Sequence, residues 1–189
     1  MLQKVNKKNF VKRFDAIFFK EKLTDEDVKE VLDIWRDFRQ YIQEDKKRIV
    51  VLDEDMWTIT NRIGDINVVL INAGMYEEFI HFNMEVVDLN WMMPNGLKDT
   101  SIYENAKREI ADMYSLLGDN EKAIELYESY LKEDALWGFG WLGYCWVLEN
   151  YDEIKYRKVV VDLKDRILKE AFRDKEELQE WLDSIEKSM

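Results

Sequence analysis

The chain has 189 residues, 47% of them apolar, a formal net charge of −12, one cysteine and one proline. That length can bury a full core without disulfides or metals, while so acidic a chain is repelled by nucleic-acid phosphates and by anionic membranes. The lone Cys145 excludes an internal disulfide and a cysteine-rich zinc site, and it fits a reducing cytoplasm.

Few Gly and Pro breakers and many Glu, Lys and Leu describe a mostly helical protein. The first twenty residues are basic but lack a long apolar run and a small-residue cleavage site, so they read as an amphipathic helix and not a signal peptide. Phe10, Phe14, Ile17 and Phe18 share one side of that helix. Thr24 is placed to cap a second helix, with Asp27 three residues on as in a capping box. Val28, Val31, Leu32, Trp35, Phe38 and Ile42 form its apolar stripe, and it should reach at least Glu44. The run IVVL at 49–52 is expected as helix or irregular linker, because no second strand is evident to pair with it.

Asp53 or Asp55 can cap a third helix, with Met56, Ile59, Ile63, Ile66, Leu70 and Ala73 inward and Gly74 as its stop. Met75 to Leu89 follows, with Phe79, Phe82, Val86 and Leu89 inward. MMPNGLKDTS is a loop. Ile102 to Leu117 is helical, with Tyr103, Ala106, Ile110, Met113, Tyr114 and Leu117 on one face. Gly118-Asp119-Asn120 turns the chain into Glu121–Glu133, where Ala123, Ile124, Tyr127, Tyr130 and Leu131 are buried. Gly138 to Asn150 is apolar nearly all round and should lie between neighbours, with Trp137, Trp141 and Trp146 packing it. Ile154 to Phe172 pairs with it. Asp174 caps the last helix and Glu177 closes a capping box, above an inner stripe of Leu178, Trp181, Leu182 and Ile185. No window is apolar for ~18 residues, so no transmembrane span is expected.

Sliding the segment ending in Gly74 onto the one ending in Gly118, an offset of 44, superposes Ile66 on Ile110, Leu70 on Tyr114, Phe79 on Ala123 and Ile80 on Ile124. Each copy is helix, glycine turn, helix. A hairpin with one apolar face hides it by stacking on another.

Residues 105–134, NAKREIADMYSLLGDNEKAIELYESYLKED, resemble a tetratricopeptide repeat. Ala111 and Ala123 take its small-residue positions, Tyr114 and Tyr127 the aromatic positions after them, and Gly118-Asp119 the turn. A copy 34 residues on puts Trp141 and Cys145 on the motif's tryptophan and small-residue positions. There Arg157 departs from the pattern, as do Asn67 and Phe79 in the copy at 60–90 and Ala135 in place of the usual proline. WGFGWLGYCW is also similar to the helical regions of bacterial proteins ending in a SEC-C zinc tail, but the clustered cysteines and histidine of that tail are not in this sequence.

The resemblance implies an all-α, TPR-like right-handed α-solenoid of antiparallel helix hairpins. It is one domain, 1–189: an N-terminal helix pair (1–52), three hairpins (53–172) and a C-terminal capping helix (173–189). It also implies a concave groove lined by first helices, with Asn105, Arg108, Asp112, Ser115, Phe139, Leu142 and Trp146 facing a bound peptide.

The residues offer little for catalysis. His81 stands alone and is expected on the surface. Cys145 is expected as a small buried hydrophobe. The acidic runs TDEDVKE and LDEDMW lack the alternating oxygen ligands and glycine of an EF-hand loop and read as caps and solvated faces. There is no phosphate loop, dinucleotide fingerprint or nucleophile elbow. The expectation is therefore a cytoplasmic, non-catalytic module without metal or cofactor that binds another protein or peptide, and neither nucleic acid nor membrane. Two alternatives stand beside it. One is an acidic inhibitor or immunity-like protein that blocks a basic partner; the other is an enzyme using acidic residues with a divalent metal.

Overall fold

The computed structural model describes residues 7–20, 23–44, 49–51, 54–92 and 101–188, with side chains for 10–20, 23–40, 61–89 and 101–185. In chain order the described residues form α1 (Lys7–Phe18), α2 (Asp25–Glu44), β1 (Ile49–Val51), α3 (Glu54–Asn72), α4 (Tyr76–Val87), β2 (Asn90–Met92), α5 (Ser101–Leu116), α6 (Asn120–Glu133), α7 (Gly138–Tyr151), α8 (Glu153–Ile167) and α9 (Lys175–Ser188). The all-helical expectation holds apart from the two short strands. Those strands correct the reading of IVVL: Ile49–Val51 pairs in parallel with Asn90–Met92, Val50 opposite Trp91. A three-residue partner forty residues away carries too little periodicity to announce itself. The chain divides into two compact units, residues 1–106 and 107–189, and the division falls within α5.

In the first unit, α1 packs on α2 and α3, and α3 on α4. Helix α2 begins with the expected capping box. The Thr24 N–H donates to Asp27 Oδ2 at 2.9 Å, and the Asp27 N–H donates back to Thr24 Oγ1 at 3.3 Å. Lys20 also donates to Asp27 at 2.5 Å, and this bond leads the causes that lower the carboxyl to about 2. The core is built from Phe10, Phe14, Val31, Ile34, Trp35, Phe38, Ile66, Leu70, Phe79, Phe82 and Val86, all buried. Arg62 on α3 lies over the rings of Phe14, Phe18 and Phe19 at 5.6–6.0 Å and pairs with Asp15 and Asp65. A guanidinium is suited to such a place, because it stacks on aromatics while it salt-bridges in its plane. Met56, Ile59 and the caps proposed at Asp53 and Asp55 lie outside the described side chains, as does the run LDEDMW.

In the second unit, α7 packs on α6, α8 and α9. That explains its apolar circumference: Gly138, Tyr144, Cys145, Val147 and Leu148 are buried on several sides. Two of its glycines make room for aromatics. A Cβ at Gly140 would run into the Trp137 indole, and one at Gly143 into the Tyr127 hydroxyl. The loops at the unit's end are tied together. The Arg173 N–H donates to the Leu136 carbonyl at 2.9 Å, and the Trp141 indole N–H and Arg166 both donate to the Ala135 carbonyl. Arg166 also lies over Trp141 and Phe172, at 5.0 and 5.1 Å.

Three expectations are corrected here, the first being Ala73, which was placed on the inner face of the third helix and is exposed. Leu117 is 49% exposed, because the Gly118 turn carries it off the inner face of α5. Trp146, expected to pack α7 against its neighbour, is 44% exposed, whereas Trp137 is buried. Asp174, the residue before α9, sits at φ 53° where expected: its carbonyl accepts the Leu178 N–H at 3.1 Å, and its Oδ2 also accepts the Phe139 N–H of α7 at 3.4 Å.

The two hairpins related by the offset of 44 close with the same turn. The Met75 and Gly74 N–H groups bond the carbonyls of Leu70 and Ile71; the Asp119 and Gly118 N–H groups bond those of Tyr114 and Ser115. Both are Schellman closures, with the glycines at φ 69° and 87°. The α7–α8 link differs. Asp152 alone connects the helices, and its side chain caps α8 at the Lys155 N–H.

Candidate partner-binding surface

Asn105, Arg108, Asp112 and Ser115 recur at helical spacing along α5, and Phe139, Leu142 and Trp146 do so along α7. The structure brings the two rows together at one point, where the Arg108 guanidinium lies 5.6 Å from the Phe139 ring centroid. Such a contact fixes the arginine over an apolar face. Asn105 is exposed and falls within residues 1–106; the other six belong to the second unit. Trp146 is the exposed aromatic of the set. Leu142 is half-buried and packs on the core around Cys145, Leu163 and Phe172, so it serves the fold as much as the surface.

Two of the polar members are hydrogen-bonded within the chain. Asp112 accepts the Tyr127 hydroxyl at 2.5 Å, and the Ser115 hydroxyl donates to Asn120 at 2.7 Å. Burial raises the Asp112 carboxyl above its ordinary value, against the Tyr127 bond and Arg108, which lower it. Burial also raises Glu109, which pattern reasoning missed; Arg108 opposes that shift and Asp112 adds to it. Burial, with Asp112 next, pushes the Tyr127 phenol well up, so the proton stays on the tyrosine oxygen. The surface therefore presents an aromatic ridge beside two half-buried carboxyls and one cation.

A second concavity was not foreseen. Between α2 and α4 a cleft of about 450 Å³ is lined by Leu32, Trp35, Arg36, Glu77, Glu78, His81, Phe82 and Glu85. Trp35 meets Phe82 edge-on at 4.9 Å, and its indole N–H donates to Glu85 at 2.7 Å. Arg39 donates to the other Glu85 oxygen. A buried indole needs an acceptor, and that need was the one available signal. The partner lies fifty residues on, beyond any local pattern. His81 is exposed, as expected, at 3.7 Å from Glu85.

Cys145 is fully buried, and burial, then Glu149, pushes its thiol up to about 12, which makes it inert. Among the described residues no group of three or more His, Cys, Asp or Glu side chains is placed to hold a metal ion, and no helix is long and apolar enough to cross a membrane. No family model, no curated protein and no solved structure matches this chain.

Proposed function

We propose that the chain is a non-catalytic, cytoplasmic helical-repeat module of TPR-like construction, a right-handed stack of hairpins, which binds another protein or a peptide along α5 and α7. The observation that carries this reading is the Arg108 guanidinium held over the Phe139 ring, with the exposed Trp146 indole two turns further along α7, an aromatic and arginine pairing of the kind that anchors interfaces. The Schellman closures recurring after 44 residues support the repeat construction. In the test, partners are cross-linked to the wild-type chain and identified, and their capture is compared for Arg108→Glu, Trp146→Ala and the control Ile154→Ala. Loss of one defined partner in the first two and not in the control is expected; unchanged capture by both overturns the reading.

The net charge of −12 favours a second reading, an acidic inhibitor of immunity type that covers a basic surface. Exposed charge pairs are screened by salt, so capture undiminished at high ionic strength overturns it.

A further inference from the structure

The α2–α4 cleft lies wholly within the first unit and is independent of the α5–α7 reading. Its floor is apolar: Trp35 and Phe82 are buried and Leu32 is half-buried. Its mouth is formed by the exposed Glu77, Glu78 and His81.

The charges around it are not equivalent. Arg36 is held by Asp33 at 2.5 Å. Glu85 is used by the Trp35 indole and by Arg39. Among the described residues, Glu77 and Glu78 have neither a hydrogen-bonded nor an ion-paired partner for their carboxylates. The cleft is thus apolar at depth, with Glu85 engaged inside, and its exposed rim carries Glu77, Glu78 and His81 beside Arg36, which Asp33 pairs.

An anionic ligand meets three glutamates in a chain of net charge −12. A purely apolar side chain fits the floor but dehydrates the two rim carboxylates without return. A side chain with a long aliphatic stem and a cationic head satisfies both levels. We infer that this cleft docks a lysine or arginine side chain of a partner polypeptide. The stem lies along Leu32, above the buried Trp35 and Phe82, and the head reaches Glu77 and Glu78.

The Trp35 indole N–H resonance reports on the floor. The chain is titrated with acetyl-Ala-Ala-Arg-Ala-Ala-amide, with the same peptide carrying norleucine or glutamate at the centre, and with n-butylamine as a free cation. The arginine peptide is expected to shift this resonance saturably and the glutamate peptide to leave it in place. The norleucine peptide and butylamine should each bind about tenfold more weakly than the arginine peptide. Glu77→Gln with Glu78→Gln changes exposed helix positions only, and circular dichroism checks that the fold is kept. This double variant should weaken the arginine peptide about tenfold and remove most of its salt dependence. Three results each overturn the inference: no shift with the arginine peptide, an equal response to norleucine or butylamine, or unchanged affinity in the double variant.

Discussion

The α3–α4 and α5–α6 hairpins close in the same way and are filled differently. At the turns the backbone repeats residue for residue: Met75 stands at φ −90°, ψ 66° and Asp119 at φ −86°, ψ 64°, each after a left-handed glycine. Inside, Asn67 and Asn83 exchange hydrogen bonds in the first hairpin, where Ala111 and Tyr127 stand in the second. Phe79 fills the first where Ala123 leaves space in the second, and both are fully buried. The comparison teaches that the turn is set by local backbone demands, whereas the space between two helices accepts several fillings of matched volume.

The largest expected effects break that matching. Phe79→Ala empties a ring-sized volume and should cost about 3–5 kcal/mol of unfolding free energy. The reciprocal Ala123→Phe forces a ring into a space where Tyr127 and Leu131 already pack, at about 1–3 kcal/mol. Urea unfolding of both variants is the check. If Phe79→Ala is tolerated, the first hairpin already packs as the second does and the contrast is void.

Next come the turns. Nothing lies within 4 Å of a Cβ added at Gly74 or Gly118, so alanine there meets only the penalty of its own left-handed backbone. Gly74→Ala and Gly118→Ala should each cost about 1–2 kcal/mol, and the two should agree closely. Unequal midpoints in thermal unfolding would show that the two closures are not energetically alike.

How much of this could be read from the residues follows the same division. The turns were legible, because Gly74 and Gly118 announce a left-handed residue whatever surrounds them. The capping box at Thr24 and Asp27 was legible too, since both partners lie within one turn of helix. Asp174 was placed at the start of α9, but its Oδ2 contact with the Phe139 N–H, thirty-five residues away, was not legible. The β1–β2 pairing and the Trp35–Glu85 bond failed to show for that reason as well: each joins segments whose separation no periodicity encodes. Of the residues that spacing placed along α5 and α7, Arg108 and Phe139 meet. The spacing gave no hint that Asp112 is held by Tyr127, nor that Glu109 shares its buried surroundings.

A smaller difference lies at the second helix of each hairpin. The Asp119 side chain accepts the Lys122 N–H at 3.1 Å, while Met75, on the same backbone, offers α4 no side-chain cap. Asp119→Ala should cost about 1 kcal/mol. Met75→Ser should add about 0.5 kcal/mol, with serine preferred to aspartate because Glu77 and Glu78 already load that first turn with negative charge. Amide exchange in the first turns of α4 and α6 reads both changes, and equal protection of the two wild-type helix starts would contradict the contrast.

The smallest effect separates the interiors by pH. The amides of Asn67 and Asn83 do not titrate, whereas burial raises Asp112 and Glu109 above their ordinary values of 3.8 and 4.5. The folded chain holds those protons more tightly than the unfolded chain. Their contribution therefore falls as pH rises from the ordinary values through the raised ones, and it is level above them. Asp27 acts in the opposite sense. Lowered to about 2, chiefly by the Lys20 bond, it contributes fully above 3.8, and that contribution is lost as pH falls through about 2. Asp112→Asn keeps an oxygen to accept the Tyr127 hydroxyl and removes one titrating group. The difference in urea midpoint between this variant and wild type should therefore widen in the variant's favour between pH 4 and neutrality. A difference that stays constant across that range would mean that the carboxyl is solvated as an ordinary surface aspartate, and the second hairpin's interior would then be as insensitive to pH as the first.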